Sequence, residues 1–416
     1  MKYLTTYLIL FWIICGMTVS AQTVRCGTSE KMQELLSNNP DIQVIRDNLE
    51  EFTERWVDEN SNTGERAVVT IPVVVHVVYK TNAENISDAQ IQSQIDVLNE
   101  DLRAMNADAA NVPSVWNNLI ADCEIQFSLA KQTPNGEWTN GITRTETDVD
   151  NWNASDNVKF TSEGGEDAWP ANDYLNIWVC NIGSNFLGYT YQPGVNPNID
   201  GVVIGYRFFG TVGNVSNTYD LGRTTTHEIG HYFNLYHPWG GGASNNNCSS
   251  TDFISDTPIQ GSPNFGCETF PNVSCSNAPN GDMFMNFMDY SNDDCLIFFT
   301  PDQKNRMLAT LNGPRAGLLT SNGLTIGIEE QALQNTLSVY PNPSSSVINI
   351  RFDNNRKTLS DIRILDLLGK EIFSYAMIDL STTSYQIDVS QLTGGIYLLE
   401  VKTDNGHINR KINIIE

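Results

Sequence analysis

Positive charge is scarce in this sequence. Its 416 residues carry 24 Lys+Arg against 49 Asp+Glu, a formal net charge of −25. Such a surface repels phosphate backbones and anionic headgroups, which sets aside nucleic-acid binding and direct membrane-surface binding. Beyond the N-terminus no apolar run approaches the ~20 residues that span a bilayer, so a transmembrane segment is excluded too. Charged residues reach only 18%, while 40% are hydrophobic and 10% aromatic, a composition that packs cores rather than staying disordered. At roughly 100 to 200 residues per domain the length calls for two or three domains. The surplus carboxylates suit hard cations such as calcium, or basic substrates.

The chain opens with Met-Lys and the apolar run Tyr7 to Cys15, closing on Val19-Ser20-Ala21 before Gln22. This reads as a secretory signal peptide over residues 1–21. Bulky Ile14 before Cys15 argues against a lipoprotein signal. Seven cysteines then remain for an exported chain: Cys26, Cys123, Cys180, Cys248, Cys267, Cys275 and Cys295. In an oxidising compartment the group from Cys248 to Cys295 is expected to form two disulfides, with three connectivities open. Cys123 and Cys180 either pair or stay reduced.

Residues 22–64 are polar and acidic, with helical spacing at Met32, Leu35 and Leu36 and little strand character. Ile71 to Tyr79 is β-branched and opens a new domain as a buried strand. Ser87 is a good N-cap for a helix whose Ile91, Ile95, Leu98 and Leu102 share a face. Ile125 to Leu129, Tyr174 to Val179 and Gly201 to Ile204 supply further strands, and Asp220 to Tyr236 a second helix. From His237 to about Asp282 the chain lacks periodicity and should be irregular and cross-linked. Thr300-Pro301-Asp302-Gln303 is a capping box for a closing helix. After a linker, seven short strand-like segments between Leu337 and Ile415 imply a β-sandwich of about 85 residues.

Three of the five histidines fall in His227-Glu228-Ile-Gly-His231-Tyr-Phe-Asn234-Leu-Tyr-His237. On a helix, positions i and i+4 share a face, so His227 and His231 can reach one zinc. An unbroken helix would carry His237 about 15 Å from His227, so the helix must stop and the chain turn back. Asn234 is the expected turning point, since Asn tolerates the left-handed conformation that such a reversal needs. Three protein ligands without a fourth Cys or His describe a catalytic zinc with water in the last position. Glu228 stands beside it as general base and acid.

These residues resemble the extended zinc signature of the metzincin metallopeptidases, with Asn234 where most members have Gly. Asn286-Phe287-Met288-Asp289-Tyr290 is similar to their methionine turn. Leu175 to Cys180, Asp200 to Ile204, Asp256-Thr-Pro258 and the four late cysteines are most similar to the pappalysin family, in its shorter bacterial members of the ulilysin and cytophagalysin type. The resemblance implies an α+β metzincin fold, a twisted mixed sheet with backing and active-site helices and a disulfide-stapled C-terminal subdomain. It implies Met288 as apolar support under the zinc and Tyr290 as a stabiliser of the oxyanion. Asp293 would sit at the base of the S1′ pocket and select Arg or Lys after the scissile bond, against the competing reading of a solvated acidic turn with Asp294. It further implies calcium bound at Asp252 and Thr257, and the disulfides Cys248–Cys275 and Cys267–Cys295. Related zymogens use a pro-segment cysteine as a zinc ligand, which gives Arg25-Cys26-Gly27-Thr28 a latency role. The competing reading is an unpaired Cys26. Self-cleavage before Arg66 or Arg55 would follow from a basic P1′ preference.

Val339-Tyr-Pro-Asn-Pro343, Asp366 to Lys370 and Leu392 to Tyr397 resemble the C-terminal sorting domain of the type IX secretion system; an Ig-like adhesion or glycan-binding sandwich is the competing reading. The expected organisation is a signal peptide (1–21), pro-segment (22–65), metzincin catalytic domain (66–320), linker (321–333) and β-sandwich sorting domain (334–416). The expected function is a secreted zinc endopeptidase acting on protein or peptide substrates, exported by the type IX machinery to the cell surface or beyond. The alternative is a surface adhesion or binding protein with an inactive zinc site.

Overall fold

The computed structural model describes residues 24–60, 67–183, 186–240, 248–325, 337–352, 359–366, 369–376, 384–403 and 406–415. The expected signal peptide, the expected processing site at Arg66 and most of the linker lie outside them.

One seven-stranded mixed sheet organises the first unit, in the order β1 (Val24–Cys26), β6 (Phe186–Tyr189), β7 (Val202–Gly205), β5 (Leu175–Cys180), β2 (Val69–Tyr79), β3 (Ile125–Leu129), with β4 (Ile142–Glu146) also pairing β2. The β2 residues Ile71, Val73, Val74, Val75 and Val77 are fully buried, as a nearly unbroken apolar run between parallel neighbours should be. Its first half pairs with β3 and its second with β4, while β5 lies on the other side. Among the described residues, only the β6–β7 pair of this sheet is antiparallel. The expected strands are present with ends shifted by one or two residues. β4, β6 and the short β1 are additions, too short or too polar to show period-two alternation.

Helix α3 (Asp88–Leu102) starts on Ser87, whose hydroxyl accepts from the Gln90 N–H, and buries Ile91, Ile95, Leu98 and Leu102. Helix α4 (Arg223–Tyr232) is shorter than the expected Asp220 to Tyr236 and is buried along its whole length. Helix α5 (Pro301–Leu311) begins with the full capping box of Thr300 and Gln303. The expected appendage is two helices, α1 (Thr28–Asn38) and α2 (Asp41–Asn60), and α2 packs against α5. The backbone stays attached to the sheet past residue 320, since Lys131 N–H donates to the Gly323 carbonyl at 2.7 Å.

The C-terminal residues form two antiparallel sheets. One runs β11 (Glu371–Ala376), β10 (Leu359–Leu365), β13 (Gly395–Thr403), β14 (Gly406–Ile414), and the other β12 (Ser384–Asp388), β9 (Val347–Phe352), β8 (Leu337–Tyr340). Ile348, Ile350, Ile362, Ile364, Ile387, Leu399, Val401 and Ile412 fill one core between them, the sandwich that the alternating segments predict. No helix among the described residues is long and apolar enough to cross a membrane.

Candidate metal centre

The site is assembled on α4 and the chain reversal after it. Gly222, left-handed at φ 73°, offers no side-chain cap. Asp293 supplies one from a distant turn, its Oδ2 accepting from the N–H groups of Leu221 (3.0 Å) and Arg223 (3.2 Å). At the other end the Asn234 N–H bonds the His231 carbonyl and the Leu235 N–H bonds the Gly230 carbonyl. These two bonds make a Schellman motif, and Asn234 takes the left-handed place in it at φ 73°.

The reversal returns His237 to the helix face. Its Nε2 lies 3.0 Å from His231 Nε2 and 3.3 Å from His227 Nε2. Each opposite ring nitrogen is held: His227 Nδ1 on the Phe287 carbonyl (2.7 Å), His231 Nδ1 on the Leu235 carbonyl (2.8 Å), His237 Nδ1 on Ser29 Oγ (3.3 Å). A carbonyl can only accept, so His227 and His231 carry their protons on Nδ1. Burial lowers all three imidazole pKa values, His231 to about 4, and therefore keeps the rings neutral. The Nε2 lone pairs of His227 and His231 thus converge on that of His237, which has at most one proton to offer. Three neutral imidazoles so arranged fit a shared cation, and zinc suits three nitrogen donors.

Glu228 is fully buried and its pKa is raised to about 7, chiefly by burial. Its Oε2 accepts from the Thr28 hydroxyl at 2.8 Å, whereas buried Oε1 makes no hydrogen bond among the described residues. Met288 is buried under the helix, where a Cβ at Gly230 would lie 2.3 Å from its Sδ. Tyr290 packs against the His227 and His237 rings and donates its hydroxyl to the Cys26 carbonyl at 3.3 Å. Cys26 ends β1, which pairs in parallel with β6. Its Sγ and one ring nitrogen from each of the three histidines all lie within 4.8 Å of one another.

Asp293 is buried rather than solvated. Its Oδ1 receives the Arg25 guanidinium at 2.7 Å, both side chains 1% exposed. Arg25 also donates to the Ser291 carbonyl and lies 5.3 Å over the Tyr219 ring. Asp252 and Thr257 form a separate pair: Thr257 Oγ1 donates to Asp252 Oδ2 at 2.6 Å, and burial raises the Asp252 carboxyl to about 6. The disulfides join Cys248 to Cys275 and Cys267 to Cys295, while Cys26, Cys123 and Cys180 are free and buried.

Among the neighbours of the site that the sequence does not reveal are Trp239 and the reach of Thr28 to Glu228. Trp239 stacks on His237 with ring centroids 4.5 Å apart and planes 6° apart; an aromatic two residues beyond the third histidine was its only signal. Thr28 follows Cys26 by two positions and reaches Glu228, a contact that no local pattern encodes.

Residues 160–312 match the family model described as pregnancy-associated plasma protein-A, a peptidase family. Residues 338–416 match the secretion system C-terminal sorting domain. An extracellular metalloprotease of Pyricularia oryzae is 31% identical over 319 residues, which span 73% of this chain and 95% of that protein. One of Colletotrichum graminicola is 34% identical over 266 residues, 60% of this chain and 79% of that one. Among solved structures, Tannerella forsythia mature mirolysin in complex with a cleaved peptide is 50% identical with a TM-score of 0.60, covering 63% of this chain and 99% of that one. A promirolysin mutant from the same organism is 45% identical with a TM-score of 0.64, covering 71% and 97%. The Pyricularia oryzae relative, 31% identical and covered over 95% of its length, shows the family. The chain therefore belongs to the pappalysin, or pregnancy-associated plasma protein-A, family of zinc metalloendopeptidases, and it carries a type IX sorting domain that marks it for secretion or the cell surface.

Proposed function

We propose that this chain is the zymogen of an extracellular endopeptidase in which His227, His231 and His237 hold the zinc and Glu228 moves the protons. The observation that carries this reading is the convergence of three neutral Nε2 atoms beside a buried carboxylate with one unpartnered oxygen. When bound, zinc supplies Lewis-acid polarisation of a carbonyl and lowers the pKa of water. Glu228 takes the proton of the attacking water and returns it to the leaving amine. Tyr290 donates to the developing oxyanion once the Cys26 carbonyl withdraws. Met288 supports the histidines from below.

Cys26 is assigned to latency: its thiolate would serve as a further ligand to a metal held by the three histidines, and the Tyr290 and Glu228 contacts of the same segment occupy the groups that substrate would use. The buried Arg25–Asp293 pair supports Arg or Lys after the scissile bond as the proposed preference, with Asp293 as the carboxylate that receives it. Asp252 and Thr257 offer oxygen donors for calcium. Residues 1–21 are assigned to export, 22–65 to the pro-segment, 66–320 to catalysis, 321–333 to the linker and 334–416 to sorting.

Casein or gelatin cleavage by the matured enzyme tests the reading. It should be abolished by a chelator, restored by zinc, and lost in Glu228→Ala with the metal still bound. A Glu228→Ala enzyme that retains activity would overturn it.

A further inference from the structure

The reversal between His231 and His237 leaves four consecutive carbonyls that the helix cannot satisfy. Each is taken by a side chain from elsewhere. Tyr232 O accepts from Arg315 Nε at 2.9 Å, Phe233 O from Thr310 Oγ1 at 3.0 Å, and Asn234 O from Arg306 Nε at 2.6 Å. Leu235 O, which already orients His231, also accepts from Gln192 Nε2 at 3.1 Å. Arg306 and Thr310 are buried residues of α5, and buried Arg315 lies just beyond it.

The clamp sits where the backbone needs help. Asn234 is a left-handed non-glycine residue, a strained conformation. Its own amide atoms, both buried and without hydrogen-bond partners among the described residues, do nothing to relieve that strain. The Arg306 Nε bond falls on the carbonyl of that same residue. The far side of the guanidinium is anchored by Glu50 of α2, at 2.6 and 2.7 Å.

We propose that Arg306 is a positioning residue of the metal centre: by holding the Asn234 carbonyl it fixes the turn that delivers His237 to the two helix histidines. The proposal rests on the reading of these three histidines as zinc ligands. Glu50 lies in the segment assigned to the pro-piece, so its grip on Arg306 serves docking of that segment and is dispensable for the metal.

Metal binding in the full chain carrying Glu228→Ala, which prevents self-cleavage, tests this. Zinc affinity is measured by competition with a chromophoric chelator, and ligand geometry by the visible spectrum of the cobalt-substituted protein. Arg306→Gln should weaken zinc about 10- to 100-fold, as loss of an outer-shell partner typically does, and alter the cobalt bands. Arg306→Lys should lose less. Asn234→Gly, which removes the strain, should restore most of the affinity of Arg306→Gln, a rescue that a general packing defect would not show. Glu50→Gln should stay within about twofold of the parent. Unchanged affinity in both Arg306 variants, or no recovery with Asn234→Gly, would overturn the positioning role. Failure of the parent to bind about one zinc per chain would instead sink the three-histidine reading, and the proposal with it.

Discussion

Thr28 donates its hydroxyl to Glu228 Oε2 at 2.8 Å, while its backbone N–H donates to Cys26 Sγ at 3.3 Å. One residue thus occupies the carboxylate and steadies the thiol beside the histidines. The Thr28 oxygen also accepts from the Thr190 N–H, so it is fixed from both sides. A hydrogen bond to a charged group contributes about 1.5 kcal/mol or more. Thr28→Val should therefore release Glu228 and speed self-processing of the full chain roughly tenfold, whereas Thr28→Ser should process like the parent. Gel-based conversion half-times check this, and equal half-times for Val and Thr would remove Thr28 from the latency mechanism.

Asp293 divides its two oxygens between two tasks, capping α4 with Oδ2 and receiving Arg25 with Oδ1. Asparagine can keep the first task but not the charge. Asp293→Asn should retain the melting temperature and lose the basic P1′ preference, with kcat/KM for Arg substrates down about 100-fold, in line with ~2–5 kcal/mol for removing one partner of a buried charge pair. Asp293→Ala should lose the preference and about 1 kcal/mol of stability as well, through the cap. Peptide-library profiling separates the two. A basic preference that survives in Asp293→Asn would move the pocket elsewhere.

What could be read from sequence was what is encoded locally. The i, i+4 histidines, the left-handed Asn234, the Ser87 cap and the Thr300 capping box each depend on a few adjacent residues, and each stands in the structure as expected. The expected helix from Asp220 to Tyr236 overruns α4 at both ends: the Asn234 reversal ends it at Tyr232, and its N-terminal limit is set by Gly222 and by Asp293 from seventy positions away. Strands β4 and β6 pair in the sheet although their composition is ordinary, and the Arg306, Thr310 and Arg315 contacts join segments separated in the chain. Contacts of that kind leave no period in the sequence, which is why the three histidines are legible there and the side chains that hold the turn between them are not.

Gly230 meets Met288 where any side chain would collide, its hypothetical Cβ 2.3 Å from Met288 Sδ and 3.4 Å from Leu235 Cδ1. Gly230→Ala should cost ~1–3 kcal/mol by overpacking and weaken zinc binding by shifting His231. Met288→Ala in the same chain should recover part of the loss by making room. Denaturant midpoints of the two single variants and the double variant give the coupling. Strict additivity would mean that the two residues do not press on each other.

His76 lies outside the metal centre, fully buried on β2, with Nδ1 on Thr143 Oγ1 at 2.8 Å and Nε2 on Asn176 Oδ1 at 2.9 Å. The rings of Trp178 and Trp169 flank it, with no carboxylate in hydrogen-bond contact with either nitrogen. Burial accordingly lowers its pKa from 6.5 to about 4. The unfolded chain then binds this proton before the folded one does, so the contribution of His76 to stability is complete above pH 6.5 and is lost as the pH falls towards 4. The full shift corresponds to on the order of 3 kcal/mol. His76→Gln keeps a donor and an acceptor at the position but cannot take up a proton. Between pH 6.5 and 4 the urea midpoint of the parent should fall more steeply than that of His76→Gln, the difference growing as the pH drops. Carboxylates and the zinc-site imidazoles titrate in both proteins and cancel in the comparison, so parallel curves would show that His76 is not the group responsible.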